Sequence, residues 1–131
     1  MIDFFGLAED AGVPVVRIPL PETGSLSVQA GNTGVIGLDD SRPMTTAEEQ
    51  ACVGHELGHC LYGGFYTRAT PFDIAERHEV RAAKWYILNA IPRDRLFFLL
   101  RRGYDAWEIA EQLNTTEEYI RRAYYYYMEN A

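Results

Sequence analysis

The chain has 131 residues, of which 47% are hydrophobic and 24% charged, and its formal net charge is -7. That length favours one domain with room for a proper core. The acidic balance excludes a bulk field that draws in nucleic acid or anionic membrane. The charge is uneven, because residues 1–60 hold nine acids and two bases. No apolar run reaches membrane-spanning length. Met1-Ile2-Asp3-Phe4-Phe5 carries no signal-peptide pattern. Cys52 and Cys60 stand eight apart, about 12 Å along a helix axis, too far for a disulfide within one helix. A reducing, cytoplasmic setting is expected.

Residues 2–11 suit a short helix stopped by Gly12. Val13 to Leu20 is β-branched but carries Pro14 and Pro19, as an edge or irregular strand does. Leu26 to Ala30 alternates apolar and polar residues, and Val35 to Leu38 is a third strand. The three predict a small, mostly antiparallel sheet. Thr45 and Thr46 are N-cap candidates, with Glu48 and Glu49 as capping-box partners. They open a helix over about 46–62, ended by Gly63-Gly64, and 63–74 is a loop or lid. A further helix runs from Asp73 or Ile74 to Ile91, where Pro92 can begin another over 93–102. Helices to Leu113 and over 117–129 complete the chain.

The long central helix carries His55-Glu56-Leu57-Gly58-His59. Positions i and i+4 share a helix face, so both imidazoles can address one point. Imidazole suits zinc, and catalytic zinc sites take three protein ligands and leave one position open. Glu56 is placed to act as general base. The competing reading is a buried helix whose His pair makes ordinary hydrogen bonds. A third ligand is needed, and Asp73, Glu76, His78 and Glu79 are the candidates. A metzincin pattern would need His at position 65, where Phe65 stands. A carboxylate of the next helix fits better. Glu79 is preferred, since 20 residues past His59 allow a loop and an antiparallel return.

The sequence resembles the ImmA/IrrE family of zinc metallopeptidases. The resemblance rests on the strand Val35-Ile36-Gly37-Leu38-Asp39, the H-E-L-G-H helix, and Glu79-Val80-Arg81-Ala82-Ala83-Lys84-Trp85-Tyr86 followed by Pro92. It spans about residues 12–127. It implies an α+β, zincin-like fold: a three-stranded sheet on an active-site helix, with a helical C-terminal half. It also implies that Zn2+ is held by His55, His59 and Glu79, and that the activity is endopeptidase cleavage of a helix-turn-helix repressor, derepressing phage, mobile-element or stress genes. One position departs from the pattern. Ala83 stands where the family often has Asn or Asp, so another group must orient the ligands, with Asp39, Asp73 or a backbone carbonyl as candidates.

In the expected reaction Glu56 takes a proton from water and returns it to the leaving amine. Tyr62, Tyr66 and His78 are candidates to stabilise the oxyanion, with Tyr66 and His78 carried forward as catalytic residues. Cys52 shares the face of the histidines, and a buried structural thiol is the simpler reading. Residues 107–120 resemble a helix-turn-helix. Its second helix opens on Glu117-Glu118, which disfavours DNA. A packing module that shapes the cleft or docks a protein substrate fits better. The expected organisation is a core over 1–92 and a helical subdomain over 93–131 that is integral with it. The alternative function is a non-catalytic, metal-bearing regulatory protein that binds a protein partner.

Overall fold

The computed structural model describes residues 1–63 and 72–130. The architecture is α+β. Three strands, β1 (Val15–Ile18), β2 (Ser25–Ala30) and β3 (Thr33–Asp39), form one sheet in the order β1-β3-β2. Among the described residues there are six α-helices: α1 (Phe4–Asp10), α2 (Thr46–Gly58), α3 (Phe72–Ala90), α4 (Arg93–Arg101), α5 (Ala106–Leu113) and α6 (Glu117–Glu129). None of these helices is long and apolar enough to cross a membrane.

The sheet is mixed, which corrects the expectation of a mostly antiparallel one. β2 and β3 form the antiparallel hairpin, with Ser25 opposite Leu38. β1 pairs parallel to β3, with Val15 opposite Ile36. Hairpin partners follow from local turn chemistry. The β1–β3 pairing instead depends on the chain passing over β2, which no local pattern records. The prolines trim β1 to four residues and leave it on an edge, where a missing donor costs no ladder bond.

β3 is the central strand, and Ile36 and Leu38 on it are fully buried. They meet Val53 and Leu57 of α2 in one apolar cluster with Phe4, Ala8, Val13 and Tyr86. Gln50, Val53 and Leu57 recur at helical spacing, so this stripe of α2 faces the core. The same helix turns Cys52, Glu56 and His55 toward a cleft. The Thr45–Glu48 capping box closes the start of α2 in both directions, satisfying two orphan N–H groups. Gln50 fastens α1 to α2: its Oε1 accepts from Phe4 N at 2.8 Å and its Nε2 donates to Asp3 Oδ1 at 2.9 Å.

A second apolar cluster joins Ile87 and Ile91 to Leu96, Leu99, Ile109, Ile120, Ala123 and Tyr127. The two clusters share Ala90 and Tyr119 at their margins. Of the four consecutive tyrosines, Tyr127 is buried and donates to Ile91 O at 2.7 Å, while Tyr125 is exposed.

Two glycines of α2 set how close α3 can come. A Cβ on Gly58 would lie 2.8 Å from Ala82 O and 3.1 Å from Ala82 Cα. A Cβ on Gly54 would strike the Tyr86 ring. The contact at Gly58 is with backbone, so no side-chain rotation relieves it. Gly58→Ala gains helix propensity of about 1 kcal/mol, but overpacking against a fixed helix costs about 1–3 kcal/mol. The expected net result is lower stability in urea unfolding. Because Glu79 lies one turn before Ala82 and Ala83, metal affinity is expected to fall with it. A variant as stable and as metal-avid as the parent would show that the helices have slack.

Candidate metal centre

α2 places His55 and His59 one turn apart. Their ring centroids are 5.0 Å apart and the rings nearly perpendicular, at 77°. The sequence predicts helix through residue 62, and the structure adds a refinement. α2 ends at Gly58 and His59 opens a single π-helical turn that runs to Gly63. Such widened turns recur at functional sites. His59 keeps helical angles, with φ -61 and ψ -45, and its N–H still reaches His55 O. The i, i+4 relation of the two imidazoles therefore survives the change of pitch.

Glu79 comes to them from α3. Its Oε2 lies 2.8 Å from His55 Nε2 and its Oε1 lies 2.8 Å from His59 Nε2. One carboxylate thus spans both rings. The ligand atoms of the three residues all lie within 4.8 Å of one another, a grouping able to hold a metal ion. The cluster has a closed side and an open side: the His59 side chain is 4% exposed and that of Glu79 is 43% exposed. A further ligand would enter from the open side.

His55 Nδ1 lies 3.0 Å from Tyr119 Oη, on α6. Tyr119 is itself wedged: its ring is 4.6 Å from that of Tyr86, and the Arg122 guanidinium lies 4.8 Å above it. Tyr86 Oη in turn meets Thr115 Oγ1 at 2.7 Å, which fixes the α5–α6 turn on α3. Burial pushes the Tyr119 hydroxyl up to about 12, so it stays neutral at ordinary pH. A neutral hydroxyl can accept Nδ1–H, the tautomer that leaves Nε2 free to bind a metal. This residue was missed in the sequence, where the expected support lay at Asp39, Asp73 or a backbone carbonyl. Asp39 is committed elsewhere, accepting from Leu20 N at 2.7 Å and from Ser41 N and Oγ at 2.9 and 2.7 Å. Those bonds, the Ser41 hydroxyl first, hold its carboxyl below the usual range. They tie the loop after β3 rather than a histidine. Ala83 is buried and supplies no polar group. Tyr119→Phe is expected to weaken metal binding about 10–100-fold while leaving the fold intact. Chelator competition measures this, and equal affinity in the two proteins would remove Tyr119 from the site.

Glu56 is 8% exposed. Its Oε2 accepts from Ser25 Oγ at 2.9 Å. It lines the same cleft, of about 810 Å³, as His55, Glu79, Cys52, Glu118 and Tyr119. The turn before β2, the loop after β3, α2 and the start of α6 form its walls. Glu118 and Tyr119 thus face the cleft from the helix whose sequence disfavours DNA and suits a packing module that shapes the cleft or docks a protein substrate.

The remaining sequence candidates lie elsewhere. His78 Nδ1 is 3.3 Å from Arg81 Nη2, about 100° around α3 from Glu79. Glu76 is exposed and lines a shallow surface hollow with Arg77, Val80 and Arg81. Tyr62 is 63% exposed and stacks near Trp85, with centroids 6.1 Å apart. Tyr66 and the side chain of Asp73 lie outside the described residues. Cys52 and Cys60 are free and half-buried. Cys52 lines the cleft and does not sit sealed in the core. Burial pushes both thiols up, Cys60 to about 11, and neither belongs to the cluster of His55, His59 and Glu79.

Compared with models of known protein families, with curated proteins and with solved structures, the chain gives no match.

Proposed function

We propose that this chain is a zinc-dependent endopeptidase of the ImmA/IrrE type, with a zincin-like core. The observation that carries the reading is the meeting of His55, His59 and Glu79 within 4.8 Å in a cleft that also holds the buried carboxylate of Glu56. The donor chemistry fits: two imidazoles and one carboxylate are a usual catalytic zinc set, and three donors leave a position for water. When bound, the ion would supply Lewis acidity to water and to a substrate carbonyl.

The chain's own residues do the rest. Glu56 takes the proton of the attacking water and delivers it to the leaving amine. Tyr119 holds the His55 ring in one tautomer. Glu79 supplies negative charge on the open side. An extended peptide can lie along β2, an edge strand next to the cleft. We assign α5 and α6 to shaping that cleft and docking a protein substrate, since Thr116, Glu118 and Tyr119 line it. Two free cysteines accord with a reducing, cytoplasmic setting.

By the family resemblance the substrate is a helix-turn-helix repressor, cut at one bond to release its genes. The test is incubation of the zinc-loaded protein with the repressor encoded nearest to it. Two discrete fragments, absent with Glu56→Gln, are the expected result. An intact repressor bound in a stable complex would favour the non-catalytic regulator. That alternative has no use for a buried acid in the cleft.

A further inference from the structure

We propose that Ser25 is a positioning residue for Glu56, holding one carboxylate oxygen so that the other is presented to the cleft. The inference rests on the reading of Glu56 as the proton carrier. Ser25 is the first residue of β2 and stands opposite Leu38 of the central strand. The turn before it is fixed from both sides. Gly24 adopts φ +76, its N–H donates to Leu20 O at 2.9 Å, and its carbonyl accepts from Asp39 N at 2.8 Å. The Ser25 hydroxyl is therefore delivered by a turn that backbone hydrogen bonds pin to Leu20 and Asp39.

That hydroxyl donates to Glu56 Oε2 at 2.9 Å and is the carboxylate's one hydrogen-bond donor among the described residues. No buried side-chain oxygen there is left without a partner. The slight exposure that Glu56 retains therefore opens its second oxygen to the cleft it lines. A glutamate has three rotatable side-chain bonds, and one charge-assisted hydrogen bond selects among its rotamers. A carboxylate that must receive a proton in a fixed direction benefits from that selection. α2 is also seated by its capping box, Gln50, Val53 and Leu57, and the Ser25 hydroxyl meets Cys52 of the same helix as well as Glu56.

The test avoids turnover. Protein loaded with cobalt(II) is titrated with acetohydroxamic acid and followed by its visible spectrum, because a hydroxamate gives its proton to the acid beside the metal. Ser25→Ala is expected to bind cobalt as tightly as the parent and acetohydroxamic acid about tenfold more weakly. Ser25→Thr, which keeps the hydroxyl, is expected to restore parental binding. The proposal is overturned if Ser25→Ala binds the hydroxamate like the parent, or if Ser25→Thr is as weak as Ser25→Ala. Glu56→Gln separates the two levels. If it binds the hydroxamate as tightly as the parent, the proton-carrier reading of Glu56 is what fails. If the parent itself takes up no cobalt, the metal reading fails.

Discussion

Glu56→Gln is expected to keep its metal and lose about 10²–10⁴-fold in the rate of peptide hydrolysis. The substitution preserves shape and leaves an oxygen for the Ser25 hydroxyl that now sits 2.9 Å from Oε2. It removes only the capacity to take a proton. Glu56 is not in the metal-ligand cluster, so metal content is expected to stay stoichiometric. Metal analysis and a cleavage assay on the same preparation give both numbers. Full hydrolysis by a metal-loaded Glu56→Gln protein would assign the proton transfer to another group.

The second large effect is expected at Glu79. Removing it as Glu79→Ala takes away the carboxylate that lies 2.8 Å from both imidazoles and leaves two neutral ligands. A group that only orients a ligand is worth about 10–100-fold in affinity, so losing a charged ligand is expected to exceed about 100-fold. Fold stability is expected to change little, because the Glu79 side chain is 43% exposed. Zinc competition against a chelator measures the loss, with His78→Ala as the control. Zinc retained by Glu79→Ala but lost by His78→Ala would move the ligand one residue back along α3.

What could be read in the sequence was local. The Thr45–Glu48 capping box, the i, i+4 histidines and the Gly12 stop are patterns within a few residues, and each has its counterpart in the structure. Glu79 was one of four candidates on or near the next helix, and the approach of α3 to α2 brings it, and not Glu76 or His78, against both imidazoles. The unread parts depend on distance along the chain. Tyr119 looks like any amphipathic helix residue until α6 folds back, and nothing near it in sequence marks it as the partner of His55. The parallel pairing of β1 has the same origin. Gly58 was legible only as a letter of the motif. Its physical reason, an approach to the Ala82 backbone closer than any Cβ permits, belongs to the packed pair of helices.

The bond between His55 and Tyr119 spans 64 residues, which sets an order of events during synthesis. At about 5–20 residues per second on the ribosome, the hydroxyl is made about 3–13 s after the ring it orients. Both histidines and Glu79 emerge first and can meet as soon as α2 and α3 pack. Until α6 is complete, His55 is free to hold its proton on either nitrogen. Translation of α6 is thus the step that turns an early, loosely specified cluster of His55, His59 and Glu79 into one whose His55 ring is held in place.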